Sequence, residues 1–433
     1  MNDQRNMILA IVLSAIVLFG WSALSERFFP TAQAPSTRIE DGRQIVLPKP
    51  AADPTADGPA VLRDRATVLA TTPRVRIQTP RLAGSINLRG GRIDDLVLTD
   101  HRETIARGSP PIRLLSPAGA KGAYFAQAGW AGAGMLVPDA NTVWTASAPV
   151  LTPTRPVTLT HDNGAGQRFA IQIAVDENYL FTIRQQVSNV SAAPVAVQPF
   201  ALVSRDGKSP DPDSWTQHTG PIGVFNGIAE FDIDFETLDE GPAAGETRGS
   251  RGGWLGFTDK YWLTALIPDQ AANVEASFRR GPRGAYQADF TSPSTIIPAG
   301  QALTRTSRFF AGAKEVGVLD GYEAAFGIPA LDKSLDWGWF EFFAKPIFYL
   351  LDWLFRMVGN FGGAIILLTI IVRGLMYPIA QKQFQSMAAM RVLQPKMKAL
   401  QERYKDDKVA QQQEIMKLYK EEKVNPLAGC LPI

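Results

Sequence analysis

Two stretches of this chain are apolar enough to cross a bilayer, and they lie far apart. The first, MILAIVLSAIVLFGWSAL (7–24), runs for eighteen residues without a charge. The second, 357–381, is uncharged over 25 residues except at Arg373. About 20 apolar helical residues span the hydrocarbon core, so 7–24 and 357–380 read as transmembrane helices. The first competes with a cleaved secretory signal: ALS at 23–25 has the small-x-small form of a cleavage site, and Arg5 supplies a minimal basic start. Its apolar core exceeds the roughly 7–15 residues of a signal. Trp21 also stands where an interfacial anchor would. The pattern predicts an uncleaved signal anchor.

Between the spans the period changes. Six prolines among Ala, Asp and Thr fill 30–59. Such a segment buries too little apolar surface to fold, and 25–73 reads as a disordered tether. From Arg74 onward, short alternating segments such as RVRIQ, GSINL, RFAIQIAV and YLFTIRQQV are divided by Gly, Pro and Asn/Asp turns. Period-two alternation with frequent turns predicts antiparallel strands. Roughly 240 residues of them exceed a single sandwich of about 100 residues. The expected fold over 74–330 is a large β-supersandwich of two extended sheets. With the flanking spans, the chain is an α+β membrane protein.

The segment 331–360 is dense in aromatics yet keeps Asp336, Glu341, Lys345, Asp352 and Arg356. Trp337, Trp339, Phe340 and Phe343 beside those charges suit an amphipathic helix lying in the headgroup region, 331–356. Pro346 reads as a break in it. After Pro378, apolar residues at Phe384, Met387, Met390, Leu393, Met397, Leu400 and Tyr404 mark one helix face. YKDDK (404–408) is a polar turn, and 409–423 carries Ile415, Met416, Leu418 and Tyr419. Residues 381–424 therefore predict a helical hairpin, with 425–433 opening a further span.

Charge orients the chain. The formal net charge is only +2, but 382–423 holds ten Lys/Arg against six Asp/Glu. Basic residues near a span mark the cytoplasmic side. The hairpin and residues 1–6 are then cytoplasmic, the large domain is periplasmic, and the chain belongs in an inner membrane. The hairpin's basic, Met-containing faces would suit anionic lipid or ribosomal RNA, without sequence-specific nucleic-acid reading.

Chemistry adds little. One cysteine, Cys430, excludes an intrachain disulfide, and three scattered histidines give no metal-ligand spacing. No nucleotide-loop, serine-hydrolase or zinc-protease motif occurs, so an enzyme is not expected. The alternative is a membrane-anchored periplasmic carbohydrate-binding or sugar-modifying protein, since large sandwiches can host sugars. His161, His218 and Glu230 are its acid/base candidates by residue type, with no spacing to join them.

Arg373 is the one residue that breaks the pattern. Seven large aliphatics (Ile365, Ile366, Leu367, Leu368, Ile370, Ile371, Val372) precede it. They favour insertion by about 2–4 kcal/mol, against about 2.5–3.5 for a central arginine. The terms nearly cancel, so Arg373 does not keep the helix out. Counted from 357 at 1.5 Å per residue, it lies about 24 Å along the run, towards the cytoplasmic side. Thr369, four residues earlier, shares its face. A snorkelling end-of-span arginine and a wetted interior face both fit the residues alone.

The strings LDWGWFEFFAKPIFYLL, TIIVRGLMYPIAQKQFQSMAAMRVLQPKMKAL and LYKEEKVNPLAGCLP, together with GWLGFTDKYWLTALIP (253–268) and RFFAGAKE (308–315), resemble the YidC/Oxa-type membrane protein insertases in their Gram-negative form. The resemblance runs over essentially the whole chain. It implies an insertase and chaperone that receives nascent integral membrane proteins, alone or beside the Sec translocase, and releases them into lipid. It also implies a cytoplasm-facing hydrophilic groove lined by Arg373, with Thr369 a substrate-contact position. Ribosomes or targeting factors would meet the hairpin, with Lys405 and Lys408 among its exposed positions, and no cofactor is implied. The family continues through four more transmembrane helices that complete the groove, whereas this chain stops at NPLAGCLPI. The expectation is a fragment, or one of two products.

Overall fold

A computed structural model describes residues 37–40, 43–46, 62–133, 135–209, 217–242, 245–281, 284–338, 340–405 and 407–421. The expected first span (7–24) and the expected start of a further one (425–433) lie outside them. Two compact units divide the chain, Met1–Asp336 and Trp337–Ile433.

Strands of the first unit carry their own explanation. Gln167–Val175 alternates strictly, and Phe169, Ile171, Ile173 and Val175 are buried. It pairs antiparallel with Leu180–Asn189, setting Ile173 opposite Ile183. Arg74–Gln78 likewise buries only Val75 and Ile77. Repeated along the unit, this pattern builds a nine-stranded and an eleven-stranded sheet among the described residues. Pairing is antiparallel, except that Arg74–Gln78 lies parallel to Val150–Leu151.

One continuous core lies between the sheets. Trp130 of one sheet meets Phe169 of the other at 5.1 Å, and the Gln185 amide donates across to Gly129 O at 2.7 Å. A buried charge pair, Arg205–Asp259 at 2.8 Å, also joins them. Its guanidinium lies over the Tyr124 ring, whose hydroxyl meets that of Thr264. Burial pushes the Tyr124 phenol well above its usual range. The expected two-sheet sandwich is therefore present.

The tether differs from expectation. Backbone pairing joins Thr37–Glu40 to Arg43–Val46, and Arg65–Ala70 is a short helix capped by the Asp64 carboxylate at Ala66 N. Arg65 pairs with Asp95, and Arg63 N–H donates to Gly119 O at 3.0 Å. Ordered chain thus begins before Arg74, because local capping and two arginine contacts hold a segment with little apolar surface.

In the second unit, Glu341–Val358 and Phe361–Arg403 are helices of 18 and 43 residues, followed by Lys408–Glu421. Pro346 does not break the first. It is the sixth residue, where the missing N–H removes one backbone bond just beyond the N-terminal turn, and the rest of the helix continues. The apolar run from 357 divides between two helices instead. Gly359 takes a left-handed conformation (φ 68°) and donates to Phe355 O at 2.8 Å, ending the first helix. Asn360 then caps the second at Gly363 N, 3.0 Å away. The first arm of the expected hairpin continues the apolar helix without interruption through Pro378 and Pro395.

Candidate functional site

The restart at Asn360 moves Arg373 towards the middle of the apolar segment. From Phe361 to Gln381 a helix rises about 30 Å, the thickness of a hydrocarbon core, and Arg373 stands about 18 Å from the first and 12 Å from the second. The distance to the inner end is the same as in the count from 357, and the shorter outer arm brings Arg373 nearer the middle of the run. Phe361–Gln385 is the one helix among the described residues long and apolar enough to cross a membrane.

Thr369 and Arg373 are both exposed, one turn apart on one face. The Thr369 hydroxyl donates to Ile365 O at 2.8 Å, satisfying itself on the preceding turn. Arg373 has no hydrogen bond or ion pair among the described residues. Most of the surrounding apolar segment presents hydrocarbon, with Ile366 62% and Leu375 70% exposed. A polar notch in an apolar wall can attract a polar group, hydrate it, or both. Tyr377, one turn beyond Arg373, is exposed as well.

The preceding helix is two-faced. Glu341 and Lys345 pair at 2.9 Å, Asp352 and Arg356 at 2.8 Å, each four residues apart. Spacing puts all four on one stripe and Phe343, Ile347, Leu350 and Leu354 opposite. Phe342 and Trp353 remain exposed.

The two arms of the hairpin do meet. Leu393 is buried, and the Tyr419 hydroxyl donates to Met397 Sδ at 2.9 Å. Asp407 caps the second arm at Ala410 N, 3.0 Å away. Phe384, expected on the same stripe, is instead exposed, as are Lys405 and Lys408. The side chains of Met387 and Met390 lie outside the described residues.

The sugar-site candidates do not converge. Glu230 is on the strand at one edge of the nine-stranded sheet and His161 on the strand next to the other edge. Seven strand spacings separate them, about 34 Å along the sheet. Glu230 is paired with Arg248 at 3.0 Å, and the His218 ring bonds Pro221 O at 2.7 Å. His161 borders an open groove of about 470 Å³ with Arg168 and Gln186, but packs against Trp144. The sequence reading missed Asn360, whose cap fixes the depth of Arg373. Asn followed three residues later by Gly, after a glycine stop, was the available signal.

A helix long and apolar enough to cross a membrane, following an amphipathic helix in the chain, is the mark of a membrane protein that the family match bears out. The chain belongs to the YidC family of membrane protein insertases. The YidC periplasmic domain matches residues 74–350 and the 60Kd inner membrane protein family matches 353–433. The membrane protein insertase YidC of Zymomonas mobilis is 45% identical over 433 residues, which are 100% of this chain and 74% of that protein. That of Bradyrhizobium diazoefficiens is 42% identical over 473 aligned residues, 100% of this chain and 75% of that protein. Among solved structures, a galactose mutarotase related enzyme from Lactobacillus acidophilus covers 55% of this chain and 97% of its own at 9% identity and a TM-score of 0.37. A likeness that distant says nothing about sugar chemistry.

Proposed function

We propose that the Thr369–Arg373 face of the apolar helix lines a hydrophilic groove through which nascent membrane proteins enter the bilayer. The observation that carries this is an exposed arginine near mid-span, with no partner among the described residues and a hydroxyl one turn away. An arginine at that depth costs about 2.5–3.5 kcal/mol in lipid, so it needs water or protein around it. In a wet, low-dielectric recess the guanidinium attracts acidic or polar segments flanking an incoming helix, and lowers the cost of bringing them partway across. The client's apolar segment then partitions into lipid, which supplies the driving force. No covalent bond changes, and no cofactor takes part.

In this reading residues 7–24 anchor the N-terminus, the sandwich (74–330) is periplasmic, the helix after it lies in the outer headgroup layer, and 381–424 is cytoplasmic. The excess of basic residues after the span supports that orientation. Sec translocase would be a partner for some clients, others being inserted without it. Ribosomes or targeting factors would meet the hairpin, whose Met416 and Val409 are exposed beside Lys417 and Lys420.

Protease protection of translocated client tails, in cells whose insertase carries position-373 variants, tests the groove. Arg373→Ala impairs clients with acidic tails most, Arg373→Lys retains most activity because diffuse attraction needs a point charge, and Arg373→Glu is worst. Equal loss for acidic and neutral clients would reject charge attraction.

A further inference from the structure

The end of the sandwich from which the chain departs carries an aromatic and basic rim. His101 meets Trp262 edge-on at 5.3 Å, and the rings of Tyr261 and Trp262 are 6.1 Å apart. The Lys260 ammonium lies 5.2 Å from the Tyr261 ring centroid. Lys314 ties this rim to the exit: its backbone N–H donates to Tyr261 O and its ammonium to Ser334 O, each at 3.0 Å. Ser334 closes the last helical turn of the unit, two residues before Asp336.

Beyond His101 the chain makes an ordered hairpin loop. Thr104 N–H donates to the Ser109 hydroxyl at 2.9 Å, and the Arg102 guanidinium to Ser109 O at 3.1 Å. Ile105 stands on that loop between Arg102 and Arg107, 108% exposed, and Tyr261 is 56% exposed. A lone exposed isoleucine is ordinary. This one shares its end of the sandwich with an exposed tyrosine, a half-buried tryptophan, a lysine and two arginines, against one exposed carboxylate on the loop, Glu103. Two turns at the opposite end, Asn163-Gly164-Ala165-Gly166 and Val190-Ser191-Ala192-Ala193, carry no aromatic or basic side chain. Trp and Tyr settle at the headgroup level of a bilayer, and basic residues beside them are drawn to anionic lipid.

We propose that this rim, formed by Ile105, Tyr261 and Trp262 with Arg102, Arg107 and Lys260, rests on an anionic phospholipid surface, so that the sandwich touches the membrane directly. The proposal rests on the membrane anchoring argued above. The test uses the full chain with Cys430→Ser, in vesicles of phosphatidylglycerol and phosphatidylcholine containing headgroup-spin-labelled lipid. A fluorophore is attached in turn through Ile105→Cys, Ala165→Cys and Ile366→Cys. Quenching at position 105 is expected to be about threefold that at 165, because only the rim reaches the headgroups, and to fall when Arg102 and Arg107 are both changed to Gln. Equal quenching at 105 and 165, with position 366 still buried in lipid as judged by acyl-chain labels, overturns the rim and leaves the anchor standing. A position 366 that no lipid label reaches overturns both. Full quenching at 105 in pure phosphatidylcholine overturns the preference for anionic lipid.

Discussion

The two units treat the same kinds of side chain in opposite ways. In the sandwich, Trp254, Phe309 and Phe310 are at most 1% exposed. In the helical unit, Phe342 is 82% and Leu375 70% exposed. Charges reverse as well: Arg205 is buried against Asp259, whereas Arg373 is exposed and unpaired among the described residues. The sandwich completes itself in water, because two sheets bury each other's apolar faces. The helices do not, and their hydrocarbon must be covered by lipid or by other helices. One region is therefore a finished fold, and the other is a surface made for a different solvent.

The largest effect expected from breaking this contrast is in the sandwich core. Trp254→Ala removes a buried ring and its indole bond to Pro329 O (3.0 Å), and destabilises the domain by about 3–5 kcal/mol. Hydrogen exchange of strand Trp254–Thr258 in the full chain reads the loss, while Ile366→Ala leaves that exchange unchanged.

Asp259→Ala comes next. It leaves the Arg205 charge buried without its partner and costs about 3–5 kcal/mol, whereas replacing both residues with apolar ones of similar volume costs much less. A double-mutant cycle on the same exchange signal separates the two. If both changes cost alike, packing rather than charge holds that site.

The smallest effect is a pH dependence. Burial, with the nearby Asp332 charge adding to it, raises the Glu323 carboxyl above its ordinary 4.5 although Asp332 N–H donates to it at 2.8 Å. A carboxyl raised in the folded state binds its proton more tightly there than in the unfolded chain. Its contribution is therefore full below about 4.5 and is lost as pH rises through the folded value. Glu323→Gln keeps an acceptor for Asp332 N–H and removes the titration. The wild type should weaken relative to this variant as pH climbs above 4.5, as seen in melting curves at successive pH values. Parallel curves would remove Glu323 from the account.

Much of the sandwich was legible because water imposes period two. Gln167–Val175 shows it residue by residue. It fails at Gly220–Phe225 and Trp254–Thr258, which are buried throughout. The helix Phe235–Glu240 sits over the former, with Phe235 against Gly220, and six residues are too few to announce themselves by periodicity. Apolar run length located the spanning helix but not its start, since 357–358 belong to the preceding helix and only the Gly359–Asn360 stop-and-cap divides them. Pro346 was read by its usual preference, and a helix held by its neighbours overrides that preference. Arg373 and Thr369 were visible as a pair from their spacing. The scatter of His161, His218 and Glu230 was not, because distance across a sheet depends on strand order, which no local pattern encodes.

The central claim is that one face of the apolar helix meets water while the rest meets lipid. Single cysteines from 365 to 377, in a Cys430→Ser chain kept within the native insertase and membrane, can be reacted with a membrane-impermeant maleimide. The account predicts labelling that recurs with the helical period, strong at 369, 373 and 376 and weak at 367, 371 and 375. Uniform protection across the series, position 373 included, would contradict it.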